Sequence, residues 1–368
     1  MFTTVLFDID GVMLSEERYF DASALTVHEL LTSPQFLGLP SISPDYAPTP
    51  DDETIQQIRN QVFADNRILE ALKNVGVNAN WDMVYFVFAA ELAASLQEAV
   101  QLPEVWEQVV DALSGGWTVE ALRRIGQLIR DARPNLVVGW RAYDALYDGC
   151  GSRAELLERA EQALDAHLPG GNHHALWNIG HDTFQTWYLG DEYSGRLTGK
   201  RGFLTNEYPI VDPAEFSAFL ASLRERGYRL GIATGRPQTE THVPLEHFGW
   251  LKYFDLRYVT TASDVVEAER QIPSARPLSK PHPFSYLRSL TGDHDAASLL
   301  SRTLPLQGVR QSVLIIGDSI ADALAAERLG ASFAAVLTGL EGEAARPKFE
   351  RLNADFIFSD VLAAKELF

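Results

Sequence analysis

Val5-Leu6-Phe7-Asp8-Ile9-Asp10-Gly11-Val12 runs an apolar strand out into two carboxylates at alternate positions and a glycine turn. In an open α/β sheet the ligand crevice lies beyond the carboxyl ends of the strands, so this spacing places Asp8 and Asp10 at the mouth of a site. Like charges this close repel unless a cation or a shared proton relieves them. That calls for a hard metal ion or for split acid and nucleophile roles. A strand-end Asx turn would present the same residues without chemistry, so the rest of the chain has to decide.

About 220 residues on, Arg229-Leu230-Gly231-Ile232-Ala233 reads as a buried strand ending in Thr234-Gly235-Arg236-Pro237. Thr234 can donate through its hydroxyl and its backbone to an anion such as a phosphate oxygen, and Gly235 lets a ligand approach the main chain. Arg236 reads as a salt-bridge residue beside it. Lys280-Pro281-His282-Pro283 follows, in a chain with only six lysines; the prolines stiffen the backbone and aim a point charge, although a surface loop lysine gives the same pattern. His282 reads as a loop histidine near the mouth. Val313-Leu314-Ile315-Ile316-Gly317-Asp318-Ser319 is a further strand ending in Gly-Asp, with Asp322 one helical turn later on the face of Asp318. Asp318 as no more than an N-cap for a helix over 320–329 is the plainer reading of that element.

Taken in order, DxDG, a strand-terminal Thr, a Lys and GDxxxD resemble the haloacid dehalogenase superfamily of hydrolases. The resemblance covers roughly the first dozen residues and the segment from about 205 onward. It implies a Rossmann-like, doubly wound parallel sheet and a phosphatase chemistry built on a nucleophilic aspartate. Asp8 corresponds to the nucleophile that forms an aspartyl-phosphate, and Asp10 to the general acid and base. The resemblance also implies Mg²⁺, held by the Asp8 carboxylate, the Asp10 carbonyl and the Asp318 carboxylate, with Asp322 acting from behind them. Thr234, Gly235 and Lys280 would bind the transferring phosphoryl group. Dehalogenase members lack the second aspartate, so the presence of Asp10 argues against dehalogenation.

The insert between the first motif and the next core strand is about 190 residues, far too long for a loop. Apolar residues at three- and four-residue spacing predict helices over 51–63, 81–99, 103–113, 119–132, 153–167 and 174–188. Ser152 and Glu155 suggest a capping box, and the proline-rich stretch 40–50 a surface connector. Residues 15–206 therefore read as an inserted helical cap domain, about twice the usual size, and residues 1–14 plus 207–368 as the catalytic core. In that core Asp212-Pro213-Ala214-Glu215 reads as a helix start. Strands are expected near 3–8, 229–233, 256–260, 312–317 and 333–337, with a short addition at 356–358.

Within the cap, Gly195-Arg196-Leu197-Thr198-Gly199-Lys200-Arg201-Gly202 is a basic, glycine-rich stretch that reads first as a solvated hinge loop. Ligand contact from Arg196, Lys200 or Arg201 is the alternative. His173, His174 and His181 fit no zinc spacing, and Trp177, Trp187 and Tyr188 read as core.

The 368 residues, 46% of them hydrophobic, are enough for two domains with real cores. The single cysteine, Cys150, excludes an internal disulfide and fits a cytoplasmic protein. No targeting segment is visible and no apolar run approaches the length a membrane span needs. A net charge of −19 argues against nucleic-acid binding. The expected partner is a small phosphorylated metabolite, and the oligomeric state stays open. Three other functions use the same residues. They are a phosphomutase, a phosphonate carbon–phosphorus lyase with Lys73 or Lys200 as its amine, and a binding protein without turnover.

Overall fold

A computed structural model describes residues 2–77, 79–165 and 173–368. Six parallel strands form one sheet: β1 (Thr4–Phe7), β2 (Arg229–Ala233), β3 (Val259–Thr260), β4 (Val313–Gly317), β5 (Ser332–Val336) and β6 (Phe356–Phe358). They lie in the order β3-β2-β1-β4-β5-β6, a doubly wound order whose topological switch falls between β1 and β4. In register, Phe7 faces Ile232 on one side and Ile316 on the other. The residues that follow, Asp8, Ala233-Thr234 and Gly317-Asp318, therefore emerge at one edge of the sheet.

The chain divides into two compact units, one of residues 1–17 and 204–368 and one of residues 18–203. The sheet belongs to the first, with helices α10 (Pro213–Glu225), α11 (Gln238–His247), α12 (Ala262–Gln271), α13 (Phe284–Thr291), α14 (Ala296–Leu300), α15 (Ile320–Leu329) and α16 (Arg346–Arg351). Strand residues alternate between two faces. Val5, Phe7, Leu230, Ile232, Leu314 and Ile316 join Phe216, Phe219, Leu220 and Leu223 of α10 in one core cluster. Leu6, Val313, Ile315, Phe333 and Ala335 join Leu287 and Leu290 of α13 and Ala326 and Leu329 of α15 in the other. Both faces are covered, so the strands read as continuous apolar runs. Asp212 caps α10 as expected, its carboxylate accepting from the Ala214 and Glu215 amides at 2.9 Å each. Over 256–260 only Val259–Thr260 is strand. The Asp255 side chain accepts from the Arg257 amide at 3.0 Å and turns residues 256–258 into a 3-10 helix instead.

The second unit is helical: α1 (Glu17–Thr32, whose first residue still belongs to the sheet unit), α2 (Asp52–Val62), α3 (Arg67–Asn74), α4 (Asn80–Val100), α5 (Pro103–Ala112), α6 (Val119–Ala132), α7 (Ala142–Tyr147), α8 (Arg153–Asp165) and α9 (His173–Ser194). The end expected for α8 at His167 lies outside the described residues. Helix α1 is buried along nearly its whole length, polar residues included. Its interior charges are matched: Asp21 pairs with Arg18 at 3.1 Å and Arg59 at 3.3 Å, and Glu29 with Lys200 at 2.6 Å. Ser23 and Thr26 bond back to carbonyls one turn earlier. Contrary to the expectation that no apolar run approaches a membrane span, helix α4 is long and apolar enough to cross one by length and composition. Most of it is buried in this unit, so its apolar surface serves a core.

Lys200 is a correction to the reading of a solvated basic loop. Only 3% exposed, its ammonium meets Glu29, donates to the Thr186 hydroxyl at 2.7 Å and lies 4.5 Å from the Trp187 ring centroid. Burial pulls its pKa below the ordinary lysine value against the opposing pull of Glu29. Arg196, by contrast, is exposed and paired with Asp182.

Candidate active site

Asp8 leaves β1 with its amide still bonded to the Ile316 carbonyl at 3.0 Å, so the strand pairing with β4 fixes where its side chain begins. One residue on, the chain turns. Gly11 adopts φ +67°, a left-handed conformation that glycine enters without strain. A Cβ there would also collide with the Asp318 side chain, coming 2.9 Å from its Cβ and closer still to its carboxylate. Gly339 closes on the same carboxylate from the loop after β5: a Cβ at that position would stand 3.1 Å from Asp318 Cγ and nearer to Oδ2. The Thr338 hydroxyl donates to the Gly11 carbonyl and ties the two loops together. Asp318 thus lies in a notch that exists because two backbones lack side chains.

Asp318 is not the N-cap of α15. Ser319 is, in a capping box with Asp322: the Asp322 amide donates to the Ser319 hydroxyl at 3.2 Å and the Ser319 hydroxyl to Asp322 Oδ2 at 2.6 Å. Asp322 is fully buried, and its other oxygen accepts from the Tyr286 hydroxyl of α13 at 2.8 Å. Lys280 bridges the acids, with Nζ 2.9 Å from Asp8 Oδ1 and 2.8 Å from Asp322 Oδ1. Beyond Lys280, the His282 ring Nδ1 accepts from the Phe284 amide at 3.2 Å, just ahead of α13.

Carboxylate oxygens of Asp8, Asp318 and Asp322 lie within 4.8 Å of one another. Burial drives the Asp8 carboxyl up to about 8, with Asp322 and Asp10 adding to the rise and Lys280 opposing it. Burial and the same neighbouring acids push Asp318 well above the usual carboxylate range. Asp322 moves the other way: burial works to raise it, but Lys280, Ser319 and Tyr286 together hold it below its ordinary value. Burial opposes charge on Lys280 too, and Asp322 and Asp8 outweigh it and keep the ammonium protonated. Three carboxylates against one ammonium leave two negative charges when all are ionised. Oxygen-only donors and a deficit of two suit one hard divalent cation. The residues present therefore fit a metal ion such as Mg²⁺.

Thr234 follows β2 and is almost fully buried. Its amide is committed to the sheet, donating to the Thr260 carbonyl at 3.0 Å, so the expected backbone donation to a phosphate is ruled out and the hydroxyl remains. Gly235 is exposed, with open space where a Cβ would stand. Arg236 folds back under it and is 1% exposed. Its Nε and Nη2 both donate to Asp10 Oδ1, at 2.9 and 2.7 Å, and its Nη1 donates to Glu207 at 2.7 Å. From sequence Arg236 reads as a salt-bridge residue beside Thr234 with its partners unnamed, and Glu207, Tyr286 and Gly339 do not stand out. Tyr286 looks like any apolar position of α13, and no local pattern marks the other two.

A model of the haloacid dehalogenase-like hydrolases matches residues 211–336. Among solved structures, one determined by X-ray diffraction as a Northeast Structural Genomics Consortium target is 34% identical. That match covers 99% of this chain and 98% of the other, with a TM-score of 0.87. A phosphatase from Thermococcus thioreducens (18% identity, 98% and 97% coverage, TM-score 0.44) and a hydrolase from Pseudomonas syringae (14%, 99% and 97%, TM-score 0.36) are far weaker likenesses, and nothing about activity rests on them. No curated protein matches the sequence significantly. The strand-end acids, the doubly wound sheet around them and these two stronger matches agree, and the chain belongs to the haloacid dehalogenase-like hydrolase family.

Proposed function

We propose that the protein is a Mg²⁺-dependent phosphatase that hydrolyses a small phosphomonoester through an aspartyl-phosphate on Asp8. The observation that carries this reading is Lys280, whose ammonium lies within 3 Å of both Asp8 and Asp322 at the switch point of the sheet. That contact keeps a cation beside the nucleophile where phosphoryl oxygens gain negative charge.

An Asp8 carboxylate oxygen attacks phosphorus and the ester P–O bond breaks, with Asp10 giving its proton to the departing oxygen. Water then attacks the phosphorus of the acyl phosphate and yields a proton to Asp10. Inorganic phosphate leaves and the Asp8 carboxylate is restored. Lys280 and the Thr234 hydroxyl hold the phosphoryl oxygens through both displacements. Asp8, Asp318 and the Asp10 carbonyl would hold Mg²⁺, with Asp322 behind them. When bound, the ion supplies charge neutralisation at the phosphoryl group and keeps Asp8 ionised.

The test is release of inorganic phosphate from a panel of phosphorylated metabolites and p-nitrophenyl phosphate, with and without Mg²⁺, by the wild type and Asp8→Asn. Mg²⁺-dependent release, reduced at least a thousandfold in the variant while its melting temperature is kept, is the expected result. Undiminished turnover by Asp8→Asn, or no release from any ester, overturns the proposal.

A further inference from the structure

We propose that Arg236 is a positioning residue that fixes which oxygen of Asp10 meets the leaving group. The inference rests on the acid role given to Asp10 above.

Asp10 lies on the loop between β1 and the Gly11 turn, and its side chain is 26% exposed. An aspartate in such a place has rotamer freedom, and a general acid that wanders by 1 Å loses on the order of a hundredfold in rate. Arg236 removes that freedom. Two of its N–H groups converge on Oδ1, at 2.9 and 2.7 Å, so the carboxylate is held by a planar fork and not by a single point. An oxygen facing two N–H donors has no room for a proton. When Asp10 carries one, it sits on Oδ2, and the fork therefore selects the donating oxygen.

Arg236 is itself rigid. It is 1% exposed, its Nη1 is bonded to the fully buried Glu207 carboxylate at 2.7 Å, and its amide donates to the Thr234 hydroxyl at 3.1 Å. Its carbonyl accepts the Ala262 amide at 2.9 Å. Glu207 lies on the stretch of the sheet unit that pairs with the loop carrying Asp10. There Leu14 and Pro209 form an antiparallel bridge, and Ser15 and Ile210 donate to the Tyr208 and Met13 carbonyls at 2.8 and 3.0 Å. One guanidinium thus references Asp10 to the second motif and to the returning chain together. A purely structural ion pair would satisfy Glu207 equally well, but it would not need two nitrogens on one oxygen of Asp10.

The experiment separates acid positioning from general damage by leaving group. The kcat/KM value reports steps up to phosphoryl transfer onto Asp8. p-Nitrophenolate departs without protonation and benzyl alkoxide does not. The ratio of kcat/KM for benzyl phosphate to that for p-nitrophenyl phosphate therefore reports proton donation, and it cancels the fraction of protein that is folded. In Arg236→Gln the ratio should fall at least tenfold, with p-nitrophenyl phosphate changed by less than about threefold. Arg236→Lys, which keeps the charge and loses the fork, should fall between wild type and Arg236→Gln. The double variant Arg236→Gln/Glu207→Gln removes both buried charges together and so leaves no buried Glu207 carboxylate without its cation, and it should show the same drop. Asp10→Asn calibrates the scale. If its ratio falls and the Arg236 ratios do not, Arg236 is structural and the inference is overturned while the acid role stands. If Asp10→Asn lowers both substrates equally, the acid role itself is wrong.

Discussion

Gly339→Ala should damage metal binding while leaving the fold almost untouched, because of where the new methyl group would go. Gly339 does not occupy the left-handed backbone region, so alanine meets no φ penalty there. Its Cβ would stand 3.1 Å from Asp318 Cγ and 3.3 Å from Asp318 Cβ, and well inside contact distance of Oδ2. To restore an ordinary separation of about 3.5 Å the carboxylate oxygen must retreat by somewhat more than 1 Å. The oxygen is the end of a side chain, so it can swing, at a cost of about 0.5–1.5 kcal/mol for leaving its rotamer. The lower entropy of the unfolded alanine chain offsets about 0.4–1 kcal/mol of that. Stability should therefore change by less than about 1 kcal/mol, within the reach of a melting curve. Asp318 would then present its oxygen about 1 Å from where the other two acids converge, and misplacement on that scale costs on the order of a hundredfold in rate. Mg²⁺ half-saturation, followed both by calorimetric titration without substrate and by phosphate release, should weaken at least tenfold. Gly11→Ala makes the same collision and adds the left-handed penalty of about 1–2 kcal/mol, so it should lose stability as well as metal. A Gly339→Ala protein with wild-type Mg²⁺ half-saturation and kcat would show that Asp318 does not hold the ion from this notch.

Two further outcomes test the surroundings of the site and of the helical unit. Tyr286→Phe removes a buried hydroxyl that donates to Asp322 at 2.8 Å, a bond to a charged acceptor worth about 1.5–3 kcal/mol. The midpoint of chemical denaturation should fall accordingly, whereas kcat should drop less than about tenfold because Lys280 and Ser319 still hold Asp322. An unchanged midpoint would mean that the hydroxyl is not bonded there. His28 of α1 is almost fully buried, with Nε2–H donating to the Pro44 carbonyl at 2.9 Å, and burial lowers its pKa below the ordinary 6.5 despite that bond. Below pH 6.5 the unfolded chain takes up a proton that the folded chain resists, so this contribution to stability is present above 6.5 and is lost as pH falls. His28→Gln should lose less stability than wild type between pH 7.5 and pH 5.5; identical pH profiles would contradict the assignment.

The parts of the site that sequence carries are those whose signal is local. Asp8, Thr234 and Asp318 each follow an apolar strand directly, with Asp10 two residues beyond Asp8, and strand-end position is set within five or six residues. The ends of β2 and α15 fall at the residues the sequence pattern indicated. What could not be read is what depends on distant partners. Arg236 stands in plain view in Thr-Gly-Arg-Pro, yet its partners Asp10 and Glu207 precede it by 226 and 29 positions. Gly339 matters only because Asp318 comes to rest against it. Helix α1 fails for a related reason: Arg18, Asp21, Ser23, Thr26, His28 and Glu29 are all buried, so no polar face alternates with an apolar one. Their burial becomes affordable only through Arg59 and Lys200, which arrive 38 and 171 residues later. Lys200 itself looked solvated because glycines flank it and basic residues surround it.

Charge counting separates the site into two deficits that call for different remedies. Asp8, Asp318 and Asp322 surround one ammonium, and their excess of two negative charges is fixed by the fold whatever the substrate is doing. A mobile proton cannot meet a constant deficit of two without silencing the nucleophile, whereas one divalent ion can. Asp10 and Glu207 share one guanidinium, and their excess is a single charge. A single charge is what one proton relieves, and in the proposed reaction Asp10 carries that proton at the start, loses it to the leaving oxygen and recovers it from water. A second metal ion there would freeze the group that has to alternate. Arg236 suits that alternation, because a guanidinium stays charged in either state and its fork holds Oδ1 through both. The chain carries a net charge of −19, so its general field repels a phosphate ester. Affinity for the ester must therefore be built locally, from Lys280, Thr234 and an ion at the three acids, which is why the cation at the first set and the proton at the second cannot exchange places.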